Sequence, residues 1–455
     1  MDSILSYIEN HKDAYVEELK SLLRIPSISS SPEHKPYMVE MAQVVENEMQ
    51  SAGLENVKII PTEGHSVVYG EWRHAEGKPT ILIYGHYDVM PVDPLELWDS
   101  PPFEPEIRNN RLWARGAADD KGQFYIYFKA IEAWFAQHKT LPINVKIVIE
   151  GEEEMGSVHF EDFLSKHKEM LACDYIMISD TAMFAEGFPS ITYGIRGLAT
   201  AQINLKGTNS DMHSGSFGGL VKNPIHALAE IISQLKDENG HIAVPGFYDD
   251  VLDISEKEHL ALGKLPFDEE KFRTSIDAPK LYGENGYTRL EQLWARPTLD
   301  INGIWGGYQG EGSKTVIPAE AHAKVSMRLV ANQNPENVLQ LLADYIYTIA
   351  PKEVNVHVEL MHGGFGYLTP LDEPALIKVE NALKAGFGKD VAYIREGGSI
   401  PIVQTMSDIL SATAVLIGFG LPDENAHAPN ENFDLTNFHN GIRSIAILLK
   451  EMATE

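Results

Sequence analysis

Apolar residues recur near helical spacing through residues 3 to 24, where Ile4, Leu5, Ile8, Tyr15, Leu19, Leu22 and Leu23 share one face. A second pattern from Pro36 predicts a helix that the glycine at position 53 stops. Short continuous apolar runs follow at Thr80-Ile81-Leu82-Ile83-Tyr84 (ending at Gly85), at residues 143–149, at Tyr175-Ile176-Met177-Ile178 and at Ala414-Val415-Leu416-Ile417-Gly418. Their length and apolar character fit buried strands. Between the first two, Phe124, Tyr127, Phe128, Ile131, Trp134 and Phe135 make a helical pattern. Strands alternating with helices predict an α/β domain with a mixed, largely parallel sheet flanked by helices.

Around Gly194-Ile195-Arg196-Gly197 the period changes. Residues 201–205, 323–329 and 354–360 alternate like half-exposed strands, and residues 335–349 read as a helix. This predicts a second α/β domain with an antiparallel sheet, inserted over residues 196–370. Residues 1–195 and 371–455 then form the first domain, which resumes with a helix over 374–387.

A chain of 455 residues is too long for one ordinary core. Its 44% hydrophobic and 23% charged content reads as globular and not disordered. The net charge of −29 argues against nucleic acid or an anionic membrane as partner, because phosphate binding needs clustered Lys and Arg. Cys173 is the only cysteine, so no intrachain disulfide can form. A reducing compartment, the cytoplasm, is therefore expected. No run of about 18 apolar residues occurs, and the N-terminal residues lack the pattern of a signal peptide.

Five short stretches carry the chemistry. They are Gly85-His86-Tyr87-Asp88-Val89, Arg115-Gly116-Ala117-Ala118-Asp119-Asp120-Lys121-Gly122, Gly151-Glu152-Glu153-Glu154-Met155-Gly156, Ser179-Asp180-Thr181 and Asn425-Ala426-His427-Ala428-Pro429. Together they offer two imidazoles, several carboxylates and no thiol. That donor set suits zinc or manganese in a hydrolytic site with open positions. Each stretch alone has an ordinary reading; three consecutive glutamates, for example, are usually a solvated run. Their placement argues otherwise. His86, Glu154, Asp180 and, after a longer loop, His427 follow predicted strands, and the carboxyl ends of strands form the ligand crevice of open α/β sheets. Glu153 and Glu154, adjacent at a strand end, are expected to point to different sides.

In these motifs, their order and their spacing, the chain resembles the dinuclear-metal exopeptidases and deacylases that include carnosinase, cytosolic nonspecific dipeptidase, carboxypeptidase G, aminoacylase and succinyl-diaminopimelate desuccinylase. The likeness runs from Ile25-Pro26-Ser27 to His427. Arg395-Glu396-Gly397-Gly398-Ser399-Ile400-Pro401 and the long stretch between Gly240 and Pro318 are similar to the dipeptidase branch. The resemblance implies a zinc-exopeptidase-like fold whose inserted domain serves as lid and dimerisation domain. It also implies two divalent metal ions, zinc foremost, with manganese or cobalt as alternatives. Asp119 would bridge them, His86 and Asp180 completing one site, Glu154 and His427 the other. Glu153 would be general base and acid on a metal-bridging water, and Glu152 structural or solvated. Asp88 would take the second N–H of the His86 imidazole, and the family often has a cis peptide before the residue matching Asp120.

An exopeptidase must also anchor a charged terminus, and Arg grips a carboxylate bidentately. By resemblance Arg328 has that role, Ser399 adds donors to the same group, and Glu396 receives the free amine of a dipeptide. His213 is similar to a histidine that enters the partner subunit's site to stabilise the oxyanion, and Thr315 lies in another shared segment that contacts substrate. A homodimer through the inserted domain follows. The expected activity is hydrolysis of dipeptides or related small peptides. An N-acyl-amino-acid deacylase or carbamoyl hydrolase is the alternative, and a non-catalytic binding module on the same fold a remote one. Two segments depart from the animal dipeptidases: Asp180 is followed by Thr181-Ala182-Met183-Phe184 without the usual tyrosine, and Gly363-Gly364-Phe365-Gly366-Tyr367 replaces Gly-Gly-Lys-Pro-Trp.

Overall fold

The strand Thr80–His86 is buried on both faces, with Ile81, Leu82, Ile83 and Tyr84 each at most 1% exposed, which is why its sequence is a continuous apolar run. In the computed structural model, which describes residues 1–454 (the side chain of His362 excepted), this strand lies between Asn144–Glu150 and Tyr175–Ile178 and is parallel to both. Thr413–Gly418 extends the parallel set beyond Tyr175–Ile178. Antiparallel strands flank these four: Glu55–Ile60 and Val67–Trp72 on one side, Ser190–Ile195 on the other. The sheet is thus mixed, with a parallel centre. All four central strands end at the same edge.

Helices cover this sheet. Lys121–His138 is buried on nearly every side through Trp134 and packs against Asp2–Leu23, Leu435–Met452 and the strand Thr80–His86. The second predicted helix runs over Lys35–Ser51 and stops just before Gly53, whose φ of 98° favours glycine. The C-terminal helix Leu435–Met452, which the apolar pattern alone did not single out, starts where the Asp434 carboxylate accepts the Asn437 N–H at 2.9 Å.

The chain forms two compact units, one of residues 1–193, 369–394 and 402 onward, the other of residues 194–368 and 395–401. The second unit is built on an antiparallel sheet in the order Thr298–Gly306, Glu320–Leu329, Gly197–Lys206, Asn355–Gly364. One face presents Ala199, Ala201, Ile203, Val325 and Met327 to the helices Pro224–Ser233 and Pro335–Ile349. The latter helix spans the predicted residues because Asn334 caps it and Pro335 opens it. Strand Thr298–Gly306 escaped the sequence reading, since most of its residues are only partly buried and leave no apolar run. Among the described residues no helix is long and apolar enough to cross a membrane.

Candidate dinuclear metal centre

The carboxyl edge of the parallel strands gathers the five motifs. His86 is the last residue of its strand, and Asp180 lies two residues past Tyr175–Ile178. His427 is carried by the loop after Thr413–Gly418, where both it and Asn425 adopt left-handed backbone (φ 62° and 57°). Glu153 and Glu154 differ from expectation. Their strand ends at Glu150, and the pair sits in a 3₁₀ turn, Glu153–Met155, so the turn and not strand alternation separates the two side chains. Asp119 precedes the N-terminus of Lys121–His138, and its peptide bond to Asp120 is cis.

Two close approaches bring these segments together. A Cβ on Gly85 would stand 2.8 Å from the Asp120 carboxylate, whose Oδ2 accepts the His86 N–H at 3.3 Å. A Cβ on Gly122 would stand 2.0 Å from the Ala117 carbonyl. Both positions admit only glycine if the backbone is to keep its path.

Asp119 stands between two groups of donors. Its Oδ1 is 3.1 Å from Nε2 of His86, which is 3.9 Å from Oδ1 of Asp180. Its Oδ2 is 2.8 Å from Nε2 of His427, which is 3.1 Å from Oε2 of Glu154. Within each group the donor atoms lie within 4.8 Å of one another. Ligands about 2.0–2.2 Å from a tetrahedral cation stand roughly 3.3–3.6 Å apart, and the spacings of 3.1 and 3.9 Å in one group and 2.8 and 3.1 Å in the other bracket that range closely enough for small side-chain shifts to seat one ion in each. The electrostatics agree. Burial pushes the Glu154 carboxyl up to about 7, with the neighbouring Asp119 charge adding to it. Hydrogen bonds to Asp119 and Glu154 push His427 up to about 11. Burial lifts Asp119 too, but His427 and His86 outweigh it and hold the group well below the carboxylate range. So many carboxylates in one place demand compensating positive charge. Divalent cations would supply it and would displace any protons held by the ligand groups.

Asp88 organises both sides of this arrangement. Nδ1 of His86, the ring nitrogen that faces away from Asp119, hydrogen-bonds to the Asp88 backbone carbonyl at 3.1 Å and lies 3.3 Å from the Asp88 Oδ1. The same carboxylate accepts the backbone N–H groups of Glu153 and Glu154 at 3.2 and 3.1 Å. One fully buried residue therefore orients a candidate ligand, through its carbonyl and its carboxylate, and pins the turn that presents the glutamate pair. Burial drives the Glu153 carboxyl well above its ordinary range; His86 opposes this, and the Asp180 and Asp119 charges add to it. Glu152 is structural: it is buried and accepts from His65 N–H at 3.1 Å and from the His159 ring at 2.8 Å.

A sequence profile of peptidase family M20/M25/M40 matches residues 82–451. The chain belongs to that family. It is 31% identical to human Beta-Ala-His dipeptidase over all of this chain and 93% of that one. It is 32% identical to Cys-Gly metallodipeptidase dug1 of Schizosaccharomyces pombe, over all of this chain and 98% of the other. The crystal structure of human carnosine dipeptidase 1 superposes with a TM-score of 0.83 at 31% identity, covering 99% of this chain and 98% of that one. These full-length relatives set this M20 peptidase in the dipeptidase branch.

In this M20 peptidase the sequence reading missed Glu431. It is 1% exposed, takes the Arg115 guanidinium at 2.7 Å, and accepts the backbone N–H groups of Gly116, Ala118 and Asp119 at 2.9, 3.0 and 3.1 Å. It thereby fixes the backbone that carries Asp119. No local pattern announces it, because its partners lie more than 300 residues earlier.

The second unit brings together some of the remaining predicted residues. Nη1 of Arg328 donates to Oγ of Ser399 at 2.9 Å. Glu396 ends the strand Ala392–Glu396, three residues before Ser399. His213 and Thr315 meet elsewhere in that unit, on a two-stranded ribbon where the Ser214 N–H donates to the Thr315 carbonyl at 3.0 Å. Both are exposed. Nδ1 of His213 accepts the Gly215 N–H at 3.0 Å. In a neutral ring the proton is then on Nε2, which makes that edge a donor.

Proposed function

We propose that this M20 peptidase hydrolyses the amide bond of dipeptides and related small peptides at two divalent ions held by His86, Asp119 and Asp180 on one side and Asp119, Glu154 and His427 on the other. The observation that supports this reading is the sharing of Asp119, one oxygen toward each histidine, in donor groups of ligand-like spacing. When bound, the ions supply Lewis-acid polarisation of the scissile carbonyl and make water acidic enough to attack near neutral pH. Zinc is the first choice for this imidazole and carboxylate set, with manganese or cobalt as alternatives.

The chain's own residues do the rest. Glu153, beside but not within the ligand groups, takes the proton from the attacking water and returns it to the leaving amine. Asp88 holds His86 and the Glu153 turn in register. Arg328 and Ser399 grip the substrate carboxylate, Arg328 with its planar fork, and Glu396 receives the free amine. Thr315 contacts substrate. His213, with Nε2 as donor, stabilises the oxyanion, reaching the partner subunit's site in a homodimer formed through residues 196–370, which also act as a lid. The lone Cys173 suits the cytoplasm.

The test is a panel of dipeptides and matching N-acyl amino acids, offered to chelated protein and to protein with zinc, manganese or cobalt restored. Cleavage of dipeptides only after metal is restored is the expected result. Activity that survives chelation would sink the reading. Glu396→Ala is expected to cripple dipeptide cleavage. If acylated substrates are the better ones and this variant spares them, the protein is a deacylase.

A further inference from the structure

The second unit holds a cavity of about 540 Å³, within the size range of small-molecule sites. One of its walls is the antiparallel sheet, through Thr298 and Asp300 on one strand and Ser326 and Arg328 on the next. Thr298 pairs with Arg328 and Asp300 with Ser326. Arg328 pairs in turn with Leu198, and Arg196 lies two residues before Leu198, which brings it to the same wall.

The charge of this cavity runs against that of the molecule. Five cationic side chains line it against two acidic ones, in a chain of net charge −29. Three of the cations have acidic neighbours: Arg296 forks onto Glu284 at 2.7 and 2.9 Å, Arg289 reaches Glu269 at 3.1 Å, and Lys236 is 3.7 Å from Asp300. Arg196 and Arg328 form no ion pair among the described residues. Arg196 is 8% exposed, its Nε donates to the Gly397 carbonyl at 3.1 Å, and its Nη1 is buried with no hydrogen-bond partner. Burial, followed by the Arg328 charge, pulls the Arg196 guanidinium down to about 10. A guanidinium with no acidic partner beside a like charge is costly, and an anion in the cavity offsets that cost.

We propose that this cavity receives the side chain of the substrate's C-terminal residue and that Arg196 makes it select an anionic one, so that dipeptides ending in Glu or Asp are preferred. The inference rests on the dipeptidase reading, in which Arg328 and Ser399 hold the main-chain carboxylate and Arg196 is left for a second anion.

The experiment is steady-state kinetics of the metal-loaded protein on L-Ala-L-Glu, L-Ala-L-Gln and L-Ala-L-Leu. One charge-assisted hydrogen bond predicts a kcat/KM for Ala-Glu about tenfold or more above that for Ala-Gln. Arg196→Met should bring that ratio close to unity by raising KM for Ala-Glu while Ala-Gln is little affected. Asp300→Asn removes an acid from the cavity and should raise the ratio, which keeps the test alive if the arginine variant folds poorly. Equal kcat/KM for Ala-Glu and Ala-Gln in the unaltered protein overturns the proposal. So does an Arg196→Met protein that loses both substrates alike, because that is how a residue that merely holds the Gly397 loop behaves. Cleavage of none of the three points to a different failure, that of the dipeptidase reading itself.

Discussion

Glu153→Gln is expected to lower kcat by a factor of about 10²–10⁴, the usual contribution of a positioned general base and acid, while metal content stays at the level of the unaltered protein. Glutamine keeps the shape and the hydrogen-bonding reach of the side chain but cannot carry a proton between water and amine. Metal content should hold because Glu154, not Glu153, stands in the donor group around His427. The turn should hold too, since Asp88 grips it through backbone N–H groups that the substitution leaves in place. Glu154→Gln makes the contrast: it should lose metal as well as activity. Metal analysis beside single-turnover rates separates the two. A Glu153→Gln protein with kcat near that of the parent, or one that is inactive only because metal is gone, would remove Glu153 from its assigned role.

Glu431→Ala is expected to destabilise the fold by about 3–5 kcal/mol, because it leaves the Arg115 guanidinium buried without its partner. Arg115 is itself 1% exposed, so water does not readily replace the lost carboxylate. The substitution also orphans the N–H groups of Gly116, Ala118 and Asp119. Those groups hold the backbone of the residue whose two oxygens face the two histidines. Metal affinity should therefore fall by roughly 10–100-fold, the usual cost of losing a partner that orients a ligand. Chemical denaturation and competition with a chelator read the two effects separately. If affinity is unchanged while stability falls, Glu431 is a structural ion pair and has no part in positioning Asp119.

Glu153 and Glu431 mark how far the sequence could be read. Glu153 was legible as a candidate because its motif is local: three adjacent glutamates follow an apolar run that fits a buried strand, and the family resemblance picks out the middle one. The same holds for His86 and Asp180, each at or just past a strand end, and for His427, whose loop follows a fourth strand. Periodicity also determined the mixed sheet with its parallel centre and the helices over 335–349 and 374–387, since Pro at the start of each and an apolar stripe along it are signals carried within a dozen or so residues. Family resemblance added the division of labour between the carboxylates.

Tertiary structure alone decided the rest. That Asp119 turns one oxygen to each histidine, that a 3₁₀ turn separates Glu153 from Glu154, and that Asp88 holds both His86 and this turn are facts of three-dimensional placement. Glu431 buries its charge against Arg115 from the far end of the chain, and Arg196 faces a cavity walled by strands about a hundred or more residues downstream. A buried charge is stabilised by whichever partner the fold delivers, and sequence distance plays no part in Coulomb's law. Local patterns therefore specify elements and candidate ligand motifs, while the partners that set each candidate's orientation and charge come from contacts that no window of sequence contains.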